Sequence, residues 1–210
     1  NTSRNDSLRK ALGAHPQTDT FRIDLLNHLA FENYLVDPDT SLRFAYEAMS
    51  LSKEINYLEG EAQSLRQIGI ISWAQANYAT ALKNFVAALK LAEKTGHTQL
   101  IADITGNLGL VYFGLADYSQ AERYQQASYE MQHALGNKTR QAVALNNLGD
   151  IHRALRNYEV SIQFYGEALK LRRETNNLPG VATNIRNIGN VHEAQGDFGK
   201  ALEQYNESLK

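Results

Sequence analysis

A glycine recurs every 40 residues through most of this chain, at Gly69, Gly109, Gly149 and Gly189. Each sits in a matching heptapeptide: RQIGIIS (66–72), GNLGLVY (106–112), NNLGDIH (146–152) and RNIGNVH (186–192). Nine residues after each glycine stands an aromatic, Tyr78, Tyr118, Tyr158 or Phe198, and three further on a small residue, Ala81, Ala121, Ser161 or Ala201. Seven beyond that, the small residue returns as Ala88, Ser128, Ala168 and Ser208. One period earlier the same columns hold Ser41 and Ala48, so an opening repeat fits without a gap, with Leu29 in the glycine's place. A period of this length marks a stack of like supersecondary units, none of which can bury its apolar face alone.

Within a period the spacing is helical. Leu145, Leu148, Gly149 and His152 follow at intervals of 3, 1 and 3, and Tyr158, Ser161, Tyr165 and Ala168 at intervals of 3, 4 and 3. Each set lies on one face of a helix. Glycine costs about 1 kcal/mol in a helix interior, so its recurrence predicts a packing role: a missing side chain that lets the first helix approach the second. Between the two helices falls a short polar break, QAN, LAD, LRN or QGD, whose Asn77, Asp117, Asn157 and Asp197 are suited to cap the second helix. In the opening repeat Asp37 takes the cap and Pro38 the first helical position. Gly96, Gly136 and Asn176 close second helices, since these residue types tolerate a left-handed backbone. The spacing predicts a short lead-in helix over 6–13, ended by Pro16, and then helix pairs near 19–35 and 38–55, 57–75 and 78–95, 97–115 and 118–135, 137–155 and 158–175, and 177–195 and 198–210. The expected organisation is a polar lead-in over 1–18 and an all-α array over 19–210, with units at 19–56, 57–96, 97–136, 137–176 and 177–210.

Composition removes several function classes. The formal charge is −2, from 21 Lys and Arg against 23 Asp and Glu with no block of one sign, which argues against nucleic acid or an anionic membrane surface as the main partner. No apolar run approaches the roughly 18 residues that span a bilayer. There are no cysteines, so neither disulfides nor thiolate chemistry enters. The opening NTSRNDSLRK is polar and resembles no signal or transit peptide, and the composition suits the cytoplasm or the periplasm equally.

The units resemble tetratricopeptide repeats, whose pattern places W, L, G and Y at spacings of 3, 1 and 3 before A, F, A and a closing P. The residues that carry the likeness are Leu65-Ile68-Gly69, Leu108-Gly109-Tyr112, Leu145-Leu148-Gly149-His152 and Ile185-Ile188-Gly189-His192. Two features depart from the pattern. The period is 40 rather than about 34, and Glu93, His133 and Arg173 stand where the closing proline would be. Without proline each second helix runs on, and six added residues supply about 1.7 turns. This long form is similar to Pins-type polarity scaffolds and to bacterial signalling proteins. The opening stretch TFRIDLLNHLAFENYLVDPDTSLRFAYEAMSLS resembles bacterial arrays fused to a histidine kinase, a nucleotide cyclase or a transcription regulator. The resemblance implies a right-handed superhelical solenoid of about five antiparallel helix pairs. It further implies a non-catalytic protein-interaction module, the sensory or regulatory segment of a larger signalling protein. Two other readings stay open: a free-standing scaffold bridging other proteins, and a small-ligand or metal sensor.

In such arrays the groove is lined by the first helices. On that face Gln67, Asn107, Asn147 and Asn187 occupy equivalent places, flanked by Arg66, Asn146 and Arg186 and by Asp150 and Asn190 three residues further along. Carboxamides both donate and accept, and so suit a peptide backbone. The guanidinium groups suit carboxylates, so the expected partner is a protein or peptide with acidic residues. Two compatible roles fit this row: a ligand groove, or a ladder of bonds that stiffens the stack. His152 and His192 take equivalent places where the pattern has tyrosine; with no third ligand near, no metal and no cofactor are expected. No HExxH, P-loop or GxSxG motif is present, so the segment reads as non-enzymatic. By register the last helix should run past Lys210 with no polar cap after it, which leads to the expectation of continuing chain or of self-association through that end.

Overall fold

The computed structural model describes residues 2–209, with side chains from Asn5 onward. All regular structure among these residues is α-helix. The chain separates into two compact units, residues 1–114 and 115–210. The first holds α1 (Thr2–Ala14), α2 (Thr20–Asn33), α3 (Pro38–Glu54), α4 (Leu58–Ala74), α5 (Tyr78–Thr95) and α6 (Thr98–Gly114). The second holds α7 (Tyr118–Ala134), α8 (Lys138–Ala154), α9 (Tyr158–Glu174), α10 (Leu178–Ala194) and α11 (Phe198–Ser208). In each unit consecutive helices pack against one another, and short connections make neighbours antiparallel. In the first unit α4 also touches α2 and α6, so the first helices of successive pairs form a row. Helices begin and end close to where the periodicity puts them; the lead-in is longer than expected, beginning at Thr2 rather than near residue 6.

The recurring glycine is a seat for an aromatic ring. A Cβ built on Gly69 would lie 2.5 Å from Phe85 Cε1, one on Gly149 2.6 Å from Tyr165 Cδ1, and one on Gly189 2.8 Å from Tyr205 Cε1. In each case the ring comes from the second helix of the same pair, 16 residues after the glycine. What the missing side chain admits is thus a ring, and not the partner backbone that the sequence suggested. Phe85 and Tyr165 are fully buried in these seats. The small residues beside them, Ser41, Ala81, Ala121, Ser161 and Ala201, are all buried, and Ser161 Oγ donates to the Gly149 carbonyl at 2.7 Å. In the first unit the apolar core continues from pair to pair: Ala30 and Ala45 meet Ile68 of α4, while Leu12 of α1 packs on Ile23, Leu26 and Ala48.

Helix ends follow the expected chemistry with one exception. The side chains of Asp19, Asp37, Asn77, Asp117, Asn137, Asn177 and Asp197 each accept from the backbone N–H three residues on. Asn157 holds the same place before α9, but its side chain makes no capping bond. Gly96, Gly136 and Asn176 have the expected positive φ. So do Asn56, Ala76, Ala116 and Arg156, and the last three have no residue-type signal for it.

These seats separate two glycines of one unit. Gly149→Ala forces a methyl into the buried Tyr165 ring, an overpacking cost of roughly 1–3 kcal/mol that outweighs or cancels the helix-propensity gain. Gly166, inside α9, has nothing within 4 Å of a built Cβ, so Gly166→Ala should stabilise by about 1 kcal/mol. Urea denaturation of the two variants should move in opposite directions; stabilisation by both would refute the seat.

Candidate functional site

In the first unit the row of first helices is stitched at regular intervals. Glu59, Arg66 and Trp73 of α4 lie seven residues apart, two helical turns, and so point the same way. Glu59 Oε1 pairs with His97 Nε2 at 2.9 Å. With its carboxamide oriented to satisfy both of its groups, Asn107 accepts from Arg66 Nε at 3.2 Å and donates to the Asp103 carbonyl at 3.2 Å. Trp73 Nε1 donates to the Leu110 carbonyl at 3.2 Å. Arg66 and Asn107 are therefore brought together across two helices. Gln67 is buried instead, 7% exposed, and its Oε1 has no hydrogen-bond partner.

In the second unit Asn146 is the hub. Its Oδ1 accepts from Asn184 Nδ2 at 3.2 Å and from Asn187 Nδ2 at 3.0 Å, both on α10, while its own Nδ2 donates to Asp150 Oδ2 at 3.0 Å. Asp150 Oδ1 in turn accepts from Tyr165 OH at 2.8 Å, which ties the seated ring to the front of α8. Burial pushes the Asp150 carboxyl above its ordinary range, against the bonds from Tyr165, Arg153 and Asn146 that favour the charged form. Burial, and then the Asp150 charge, raise the Tyr165 phenol as well. Asn147 turns away from this network and donates to Gln125 Oε1 of α7 at 3.2 Å. Asn190 accepts from Tyr205 OH at 2.9 Å. Arg186 stands exposed on α10, with no hydrogen bond or ion pair among the described residues.

The two registers share a rule. Asn107 meets Arg66 and Asn187 meets Asn146, each pair 41 residues apart, so a carboxamide on one first helix bonds the residue one repeat and one place earlier. Sequence reading missed three members of these networks. Asn184 is fully buried in a column held by Ser64, Ile104 and Ala144 in the three preceding repeats, and Arg172 is buried in the column of Ser52, Ala92 and Gln132, its Nη1 on the Gly180 carbonyl at 2.7 Å. Gln125 takes the column that holds a ring in α5, α9 and α11. A polar residue breaking an apolar or small column was the available signal. His152 stacks on Phe164 with centroids 5.3 Å apart and lies 3.4 Å from Glu122 Oε1. Hydrogen-bonding amides, carboxylates and guanidinium groups can orient a polar chain.

The Asp150 geometry sets a pH dependence. Its folded carboxyl takes up a proton above the ordinary value of 3.8, so between 3.8 and the folded midpoint the folded chain binds more protons than the unfolded one. Stability contributed by this group should be greatest below that window, decline as pH rises through it, and stay flat above. Asp150→Asn should abolish that part of the profile. A carbon-13 titration of the carboxyl with a midpoint at or below 3.8 would contradict the burial.

No curated protein matches the chain in sequence. Solved structures match its fold. BtubC (BKLC) from P. vanneervenii is similar with a TM-score of 0.75 at 20% identity, over 99% of this chain and 86% of that one. A Rap protein complexed with Competence and Sporulation Factor gives 0.77 at 18%, over 88% of this chain and 52% of that one. A signal transduction ATPase with numerous domains that carries a tetratricopeptide repeat sensor, from Pyrococcus horikoshii, gives 0.71 at 18%, over 89% of this chain and 29% of that one. The chain thus spans about half the length of the Rap protein and less of the ATPase. At these identities the likeness establishes the fold, an all-α solenoid of antiparallel helix pairs. The tetratricopeptide repeat family profile matches residues 60–134 and 140–210, and the chain belongs to the tetratricopeptide repeat family.

Proposed function

We propose that the chain is a non-catalytic module that holds a protein or peptide partner on its first helices, serving as the sensory or regulatory segment of a larger signalling protein. Family membership supports a protein-interaction role. Two neighbours of the same fold support the rest: one is complexed with a factor, and one carries its repeats as a sensor within a much longer protein. The observation that carries the site is on α10. Asn146, Asn184 and Asn187 are locked to one another, while Arg186 beside them is exposed and has no partner among the described residues. A fixed amide frame with a free guanidinium suits a backbone with an acidic side chain, held bidentately.

Selection of a randomised peptide library against the whole chain tests this. The retained peptides should carry Asp or Glu, and Arg186→Ala should weaken them about tenfold, the loss of one charge-assisted contact. A library that yields no binder would refute the module, and binders indifferent to Arg186→Ala and Asn190→Ala would refute the α10 site.

A further inference from the structure

We propose that the corner where α2 meets the first turn of α4 binds the cationic side chain, arginine or lysine, of a partner peptide. The proposal rests on the reading of the chain as a peptide-holding module and adds a specificity that the sequence did not suggest.

Two carboxylates come near each other there without a Lys or Arg partner among the described residues. Asp24 on α2 and Glu59 on α4 lie within each other's field, and neither makes an ion pair with Lys or Arg among the described residues. Burial, and the Glu59 charge with it, push the Asp24 carboxyl upward, although His28 opposes the shift. Tyr57 beside them is pushed up to about 12 by burial and then by Asp24 and Glu59. The basic groups facing the corner are His28 and His97. His97 Nδ1 accepts from the Leu100 backbone N–H at 3.1 Å, and its Nε2 lies 2.9 Å from Glu59 Oε1. Gln63 Nε2, at 3.4 Å, reaches the same Glu59 oxygen as His97.

The buried groups point the same way. Asn27 is only 2% exposed, and its Nδ2 reaches the Gly60 carbonyl at 3.5 Å, which places the amide over the first turn of α4 next to Glu59. Its Oδ1 has no donor, and neither has the buried Oδ1 of Asp24, one turn earlier on α2. A third orphan acceptor, Gln67 Oε1, closes the Glu59–Gln63–Gln67 row at intervals of four. An orphaned buried acceptor is destabilising, and what it lacks is a donor. A guanidinium offers five N–H groups and an ammonium three, with no acceptor on either. Among the described residues no three His, Asp or Glu side chains converge closely enough to hold a metal ion.

The library selection above, repeated with the Asp24→Asn and Glu59→Gln double variant, decides the matter. Both changes are near-isosteric, and an unchanged thermal midpoint would show the fold intact. Peptides retained by the unmodified chain should be enriched in Arg or Lys at one position; replacing an Arg there by citrulline, or a Lys by norleucine, both neutral and of similar shape, should weaken binding about tenfold. The double variant should lose the same factor, and added salt should narrow the gap. Binders with no basic preference, or equally tight on the double variant, would overturn the corner and leave the module standing. No binder at all would overturn both.

Discussion

An aromatic ring seated on a glycine holds three of these helix pairs together, and the other features depend on it. Phe85 on Gly69, Tyr165 on Gly149 and Tyr205 on Gly189 bring the two helices of a pair closer than any side chain at the glycine would allow. The ring fills the space a Cβ would occupy, so the helix-propensity cost of glycine is returned as buried apolar surface. Small residues one turn from each ring complete the contact; Ser161, hydrogen-bonded to the Gly149 carbonyl, does so by a bond as well as by size. Because the seat is made within a pair, the outward faces of the first helices are left to other work.

Those faces carry different chemistry in the two units. Around α8 and α10 the amides of Asn146, Asn184 and Asn187 satisfy one another, and Tyr165 links the front network to the ring seat through Asp150. Around α2 and α4 the polar groups are acceptors in excess, with Asp24, Asn27 and Gln67 oxygens lacking donors. One architecture therefore supports a self-satisfied amide frame with a free cation in one unit and an acceptor-rich corner in the other. The backbone geometry is common to both; the difference lies in a few columns of the repeat.

The fold was legible because the 40-residue recurrence of Gly69, Gly109, Gly149 and Gly189 marks one helix pair per period, and the polar breaks mark the turns. Ala76, Ala116 and Arg156 take left-handed turns that nothing in their residue types announces; position in the repeat overrides side-chain preference there. The site was legible in part. Asn107, Asn146 and Asn187 stand out by column, and the structure joins them to partners on neighbouring first helices. Which asparagine would serve as hub depended on Asn184, hidden in an apolar column, and Asn147 is drawn to Gln125 because a polar side chain replaces the ring there. The corner at Asp24 and Glu59 was out of view for another reason: it joins the opening repeat, where Leu29 replaces the glycine, to the start of the next, outside the row of asparagine columns.

The most direct measurement of the central claim is a double-mutant cycle between Gly69 and Phe85, a pair whose ring carries no hydroxyl to complicate it. Gly69→Ala should destabilise the chain when Phe85 is present and be neutral or stabilising in the Phe85→Leu background, a coupling of about 1 kcal/mol or more, as expected of residues in contact. Additive effects, with Gly69→Ala changing stability by the same amount in both backgrounds, would contradict the ring-on-glycine account.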